Sequence, residues 1–349
     1  MEVKPTTNPG CRPVWGSVSR IFLASIVLAA LAISVSTASA QNCQTSGDLD
    51  DATRSTITAA GQRYFDMAAK GDAATLRQNA VANLASDFSG IEATVKDHQQ
   101  DFAGAQTSAK AIFLLEADGD APLPRAEFYC GVFGKNGQTS GSAVFYLDNL
   151  HPGKYAVIVF DAASAGARNS FSVILQQSGT DWKLAGLYLK PTQVAGHDSE
   201  WFAARAREYK AKGQLHNAWL FYLEARSLIS PLPFMSTLAT DNLYDELQGV
   251  QPADVPAAGK TATLVAGATT YTLTALFPEA VGNDLDLIVK YQVADASNTT
   301  QANQSNTVVI RAFVAKYPEV RDAFAAVVAR ALDPSGRDFG TLLEMKDIK

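Results

Sequence analysis

Apolar residues change their spacing along the first part of the chain. In "DDATRSTITAAGQRYFDMAAKGDAATLRQN" they fall at Ile57, Ala60, Tyr64, Met67 and Ala68, the spacing of one helix face. Gly71 ends that helix and Asp72 can cap a second, short one. Six segments then read as strands: "AIFLLEAD", "RAEFYCGVFG", "SAVFYLDNL", "KYAVIVFDA", "SFSVILQQSG" and "DWKLAGLYLKP". Turn clusters such as "KNGQTSG" and "LHPGK" separate them. Helices followed by a run of antiparallel strands predict an α+β domain over 41–192, with the helices on one face of a curved sheet.

Helical spacing returns in "EWFAARAREYKAKGQLHNAWLFYLEARSLISP", Glu200 to Pro231, with Gly213 at the turn of a hairpin spanning 193–232. Pro231 and Pro233 open a linker with a short helix, 233–260, that ends in "GVQPADVPAAGK". The last region, 261–349, starts with alternation in "TYTLTALF" and "DLDLIVKYQVAD". "NTVVIRAFVAKYPEVRDAFAAVVARAL" reads as two helical pieces, the second entered at Pro318, with 308–316 ambiguous between helix and strand. "FGTLLEMKDI" reads as a returning strand, completing a small α+β domain.

Two resemblances follow from these residues. "GQRYFDMAAKGDAATL" and "SGTDWKLAGLYLKP" resemble the first helix and last strand of the nuclear transport factor 2-like superfamily, which includes ketosteroid isomerases. The resemblance covers about residues 50–192 and implies a cone-shaped sheet that holds a small apolar ligand or closes on a second subunit. Phe202, Ala206, Tyr209, Ala218, Tyr222 and Ala225 stand at the packing positions of a tetratricopeptide unit. Arg205 departs from it where a Leu is expected, and Pro231 arrives one residue late. A single repeat cannot bury its own apolar face. Trp201, Trp219, Phe221 and Leu223 are the candidate docking or binding residues.

Composition narrows the setting. With 47% apolar and 18% charged residues, the 349-residue chain is globular, and a net charge of −6 without a basic cluster argues against nucleic acid. Lys4, Arg12 and Arg20 precede the apolar run Ile21–Val35, and Ala38-Ser39-Ala40 is a small-x-small cleavage pattern. The run is shorter than the roughly 20 residues of a spanning helix. We therefore expect cleavage after Ala40, export to the periplasm or medium, and no membrane span in the mature chain. Cys11 leaves with the leader. Cys43 and Cys130 form a candidate disulfide, the alternative being two unrelated thiols.

Chemistry is sparse. The isomerase resemblance implies that Tyr64 could donate a hydrogen bond to a developing oxyanion. The partner acid of that mechanism would fall near Ser172, which is no carboxylate, and the base near Phe88, beside Asp87. His98, His151, His197 and His216 show no metal-ligand spacing, and we expect neither metal nor cofactor. His216 reads as an exposed helical residue. "EADGDAP" lacks calcium-loop spacing, and "DVPAAGKTA" lacks the first Gly and the following helix of a phosphate loop. The "NTT" and "NQS" sequons read as an exposed loop. The sequence favours an exported, non-enzymatic binding or protein-interaction protein. Its partner would be a protein or a second copy, met through the sheet or the hairpin, or a small apolar ligand. The alternative is a cone-pocket hydrolase, dehydratase or isomerase using Tyr64 with Asp87 or Asp161.

Overall fold

A computed structural model describes residues 41–349 apart from 165, 166, 258 and 283. The expected leader, with Ile21–Val35 and the cleavage point at Ala40, lies outside the described residues. A short strand, β1 (Gln41–Thr45), precedes the long helix α1 (Asp51–Ala69). The helix begins where Asp50 Oδ1 accepts the Thr53 amide at 2.8 Å, satisfying a first-turn donor. It ends at Gly71, whose φ of 72° suits a residue without a side chain. Asp72 then caps α2 (Ala73–Gln78) through the Thr75 amide. Short helices α3 (Ala82–Ser86), α4 (Ser89–Asp97) and α5 (Gln99–Phe102) follow.

All six strands read from the first half form. They are β2 (Gln106–Ala117), β3 (Leu123–Cys130), β4 (Ala143–Leu150), β5 (Gly153–Ala163), β6 (Arg168–Ser178) and β7 (Asp181–Pro191). An antiparallel sheet runs in the order β1-β2-β5-β6-β7. Alternation divides its side chains between two cores. Ile112, Ile158, Phe160, Phe171 and Val173 pack under the helices with Tyr64, Phe65 and Phe102. Phe113, Leu115, Tyr155, Val157 and Ile174 pack on the opposite face, against Phe128 and Phe145 of β3 and β4. Helix α1 lies close to the sheet at Gly61, where even a Cβ would come within 3.0 Å of the Phe160 ring.

After a small ladder, β8 (Gln193–Val194) with β9 (His197–Asp198), comes the helical hairpin α6 (Ser199–Ala211) and α7 (Leu215–Ile229). The stretch expected to be a linker is folded. Its strand β10 (Met235–Thr237) pairs with β4, completing a three-stranded sheet β10-β4-β3, and α8 (Leu238–Gln248) packs on α7.

The C-terminal sheet has the order β11-β12-β13-β14-β15. Its strands are β11 (Ala262–Ala266), β12 (Thr269–Val281), β13 (Asp284–Gln292), β14 (Ala326–Leu332) and β15 (Asp338–Glu344). The ambiguous 308–316 segment is helical, part of α9 (Thr299–Lys316), which carries the crossover between the parallel strands β13 and β14. Pro318 opens only a 3-10 turn, Pro318–Asp322, and the second expected helix is instead strand β14. Helix propensity of the alanines yields here to pairing on both sides and to inward packing of Val327, Ala329 and Ala331. One core joins the hairpin to this sheet, through Phe202, Trp219, Phe221, Leu276, Val289, Phe313 and others. The chain is thus α+β, and the described residues form one compact unit.

Candidate functional site

Tyr64 sits on α1 at no solvent exposure, and its hydroxyl is already engaged. It donates toward backbone carbonyls, Trp182 O at 2.8 Å and Asn79 O at 3.1 Å. Burial pushes its pKa up, with Arg63 opposing. It belongs to the same core as a cluster of rings, in which the Phe65 and Phe171 centroids are 5.1 Å apart and Phe102 and Phe171 5.9 Å. The two candidate carboxylates lie elsewhere. Asp161 is on the face of β5 opposite Phe160 and Ala162, half exposed, 3.2 Å from Lys110 Nζ. Asp87 is an exposed residue just after α3, and the buried Phe88 stands immediately before α4. Ser172, buried with an unpartnered hydroxyl, alternates with Phe171 and Val173 and so faces away from Tyr64. Tyr64, Asp87 and Asp161 are not brought together.

Cys43 and Cys130 are joined in a disulfide with Cα atoms 5.0 Å apart. It fastens the edge strand β1 of the large sheet to the edge strand β3 of the smaller one. The side chain of Gln41 adds a hydrogen bond from the Glu127 amide. Beside the disulfide lies a groove of about 360 Å³, lined by Cys43, Thr45, Asp48, Val132 and Thr139. Its floor is tight: a Cβ on Gly131 would come within 2.7 Å of Gly141 O. Val132 on its rim is 76% exposed, Tyr129 57% and Tyr146 38%. The Tyr129 ring meets Phe133 edge-on at 5.7 Å, and Arg125 stands 5.1 Å over the Tyr146 ring. Large rings held open to water on a rigid, disulfide-stapled hairpin suit the centre of a protein contact. Sequence reasoning placed the disulfide but missed this surface, since its residues alternate with the buried Ala126, Phe128 and Cys130. A second groove, about 630 Å³, lies between α2 and α4 and is lined by Arg77, Phe88 and Glu92 among others.

The hairpin aromatics have a different fate. Trp219 and Phe221 are buried, Trp201 and Leu223 half-buried against the same core. Phe221 packs 5.8 Å from Phe324, and Tyr209 donates to Asp322 O at 2.9 Å. They dock the hairpin on the C-terminal region and leave Trp201 as the accessible one, its ring stacked on His197 at 3.7 Å.

His216 is not the exposed helical residue expected. It lies between two carboxylates, Nδ1 2.6 Å from Glu319 Oε1 and Nε2 3.1 Å from Asp254 Oδ1. It thereby ties α7 to the loop before β11 and to the 3-10 turn. Lys190 of β7 reaches the C-terminal end of α7, donating to Ser227 O at 3.1 Å and Ser230 O at 3.0 Å, where helix carbonyls lack partners. Burial lowers its pKa, opposed by nearby Glu224. Burial also raises the Glu224 carboxyl, to about 7, with Lys190 opposing and Glu279 adding to the shift.

Of the remaining motifs, Lys260 donates to Ala253 O at 3.2 Å and β11 follows it, so "GKT" forms no phosphate cradle. Asn298 of the first sequon caps α9 through the Gln301 amide, placing the sequons at a helix start instead of a loop. Among the described residues no group of three or more His, Cys, Asp or Glu is placed to hold a metal ion. No described helix is long and apolar enough to cross a membrane. Compared with models of known protein families, with curated proteins and with solved structures, the chain matches none.

Proposed function

We propose that this is an exported, non-enzymatic protein-interaction protein, and that it meets its partner through the outer face of β3 and β4. One observation carries the reading. Tyr129 and Tyr146 stand exposed on the outer face of the β3–β4 hairpin, and Val132, just past β3, lines a groove beside the Cys43–Cys130 disulfide. Exposed aromatic residues cost solubility and are retained where they bind. A disulfide suits an oxidising compartment, consistent with the leader read from residues 1–40. The nuclear transport factor 2-like reading of 50–192 finds support in a long first helix backing an antiparallel sheet, and the tetratricopeptide-like reading in the docked hairpin. A fully buried tyrosine whose hydroxyl is spent on backbone carbonyls favours binding over catalysis.

The test is photo-crosslinking in the cell of origin, with a benzophenone residue at Val132 and, as control, at Val265, which is also exposed (66% against 76%) but far along the sequence. A discrete protein adduct at 132 that is lost with Tyr129→Ala/Tyr146→Ala supports the proposal. Equal labelling at both positions, or none at 132, refutes it.

A further inference from the structure

An edge strand leaves a row of backbone amides and carbonyls unpaired, and proteins blunt such rows with staples, bulges, proline or shortness. Most edges of this chain are blunted. Strand β1 is fastened to β3 by the Cys43–Cys130 disulfide. The free side of β7 is occupied at Leu184, which donates to Asn79 O and accepts from the Val81 amide. Strand β12 runs past β11 with Pro278 and a bulge on that stretch, and β10 has three residues only. Strand β15 differs. Its seven residues pair with β14 without a bulge and include neither proline nor lysine.

The open side of β15 follows from its ladder. Arg337 O accepts the Asp333 amide at one end, and Ala325 O accepts the Met345 amide at the other. Bonded pairs recur at every second residue of an antiparallel ladder. Phe339, Thr341 and Leu343 therefore turn their amides to β14, while Gly340, Leu342 and Glu344 turn theirs outward. Those three are exposed, Leu342 at 40%. On the outer face Leu342 stands opposite the half-buried Val328, and Gly340 opposite the half-buried Arg330. A Cβ at Gly340 would meet the side chains of both Arg330 and Val328, so these lie on that face. None of these residues belongs to the β3–β4 surface.

We propose that β15 is a homodimer edge: two copies pair antiparallel through it, about a two-fold axis at Leu342, and their five-stranded sheets become one. The strand is complementary to itself in this register. Leu342 meets the partner's Leu342, with Val328 flanking the contact in each copy. Gly340 faces the partner's Glu344, and by symmetry does so twice. Because Gly340 has no side chain, Arg330 can extend across it to that carboxylate. Just beyond the strand, Lys346 comes toward the partner's Asp338. Within one chain Arg330 is matched by Asp338 and Glu344 by Lys346, so the contact links two ion pairs into an alternating row and strands no charge. Neighbouring registers lose this match. Centred on Thr341, Asp338 would face the partner's Glu344, and centred on Leu343, Leu342 would face that glutamate. The self-match selects a second copy over an unrelated extended peptide. A contact about 20 Å long and one strand wide buries on the order of 300 Å² per copy, under half of what each partner gives a standard interface, so the dimer is reversible.

Analytical ultracentrifugation of residues 41–349 over a series reaching about 1 mM tests this, with a dissociation constant of roughly 10–100 μM expected for wild type. Leu342→Lys puts like charges at the centre of the edge and should weaken association at least about tenfold, with the melting temperature of the monomer unchanged. Arg330→Glu and Glu344→Arg should each weaken it at least about tenfold, by setting like charges across Gly340. Mixed in equal amounts, these two variants should associate as a heterodimer, because every facing pair is again opposite in charge. That rescue separates a lost contact from a damaged fold. A wild-type chain that stays monomeric over the series overturns the proposal, and so does a dimer indifferent to Leu342→Lys. Failure of the mixed Arg330→Glu and Glu344→Arg chains to associate overturns the register.

Discussion

Strands β5 and β14 both run inside a five-stranded sheet, yet their residues are buried in different ways. In β5 every residue from Tyr155 to Phe160 is buried. In β14 the fully buried Val327, Ala329 and Ala331 alternate with the half-buried Val328, Arg330 and Leu332. The cause is what lies on each face. Helices cover one side of the first sheet and the β10-β4-β3 sheet covers the other, whereas the second sheet has its shared core on one face and, on the other, is closed at Asp286 and Ile288 but open toward Leu342. A continuous apolar run in a strand therefore reports two covers, and alternation reports one.

Four measurements would break or sharpen this contrast. The largest effect is expected from Phe171→Ala, which empties the middle of the ring cluster formed with Phe65, Phe102 and Phe160. Denaturant unfolding should show a loss of about 3–5 kcal/mol. A loss below about 1 kcal/mol would mean that the helix-covered face is loosely packed. Next comes the disulfide that holds the two covers of the N-terminal half together across 87 residues. Reduction should cost about 2–4 kcal/mol, read as a lower midpoint in reductant, and Cys43→Ser should melt like the reduced protein.

A smaller effect should appear at the join of the two sheets, where Glu224 of α7 feels Lys190 from β7 and Glu279 from β12. Burial raises its pKa from 4.5 to about 7 in the folded state. The folded form therefore holds the proton more tightly than the unfolded one. That contribution to stability is complete below pH 4.5 and lost as pH rises through about 7. Melting temperatures of wild type and Glu224→Gln should diverge over this window, the wild type falling relative to the variant. Parallel curves would show that Glu224 is better solvated than its position suggests. The smallest effect belongs to the half-buried Val328→Ala on the outer face of β14, which should change stability by no more than about 0.5 kcal/mol. A loss like that of Phe171→Ala would mean that Val328 packs as tightly as the buried Ile288 beside it.

Much of this was legible in the sequence. Helix α1 with its Gly71 end, the Asp72 cap of α2, the six strands of the first half and the hairpin around Gly213 follow from local spacing and residue type, and the disulfide was one of two alternatives for Cys43 and Cys130. Strand β14 was misread because "AFAAVVARAL" carries the composition of a helix, although the period-two alternation was present in it. Strand β1 was not foreseen, since the polar "QNCQT" becomes a strand only by pairing with β2. The partners of His216 are 38 and 103 residues away, and no local pattern announces such pairs. The candidate contact surface was hidden for a related reason. Exposure of Tyr129 and Tyr146 depends on which side of a hairpin faces the large sheet, and the sequence shows alternation without naming the outward side.

Strand β10 has a consequence for how the molecule is made. It comes after the helical hairpin in the chain, yet it pairs with β4, and Leu232 just before it belongs to the core between the two N-terminal sheets. A chain leaving the ribosome exposes the edge of β4, with Phe145 and its unpaired amides, until residue 237 has emerged. Every residue of the hairpin must be synthesised during that wait. A fragment stopped after Pro191, where the strands of the large sheet are complete, would keep that edge open and tend to pair with copies of itself. Nascent chains arrested before and after Thr237 should differ sharply in resistance to protease.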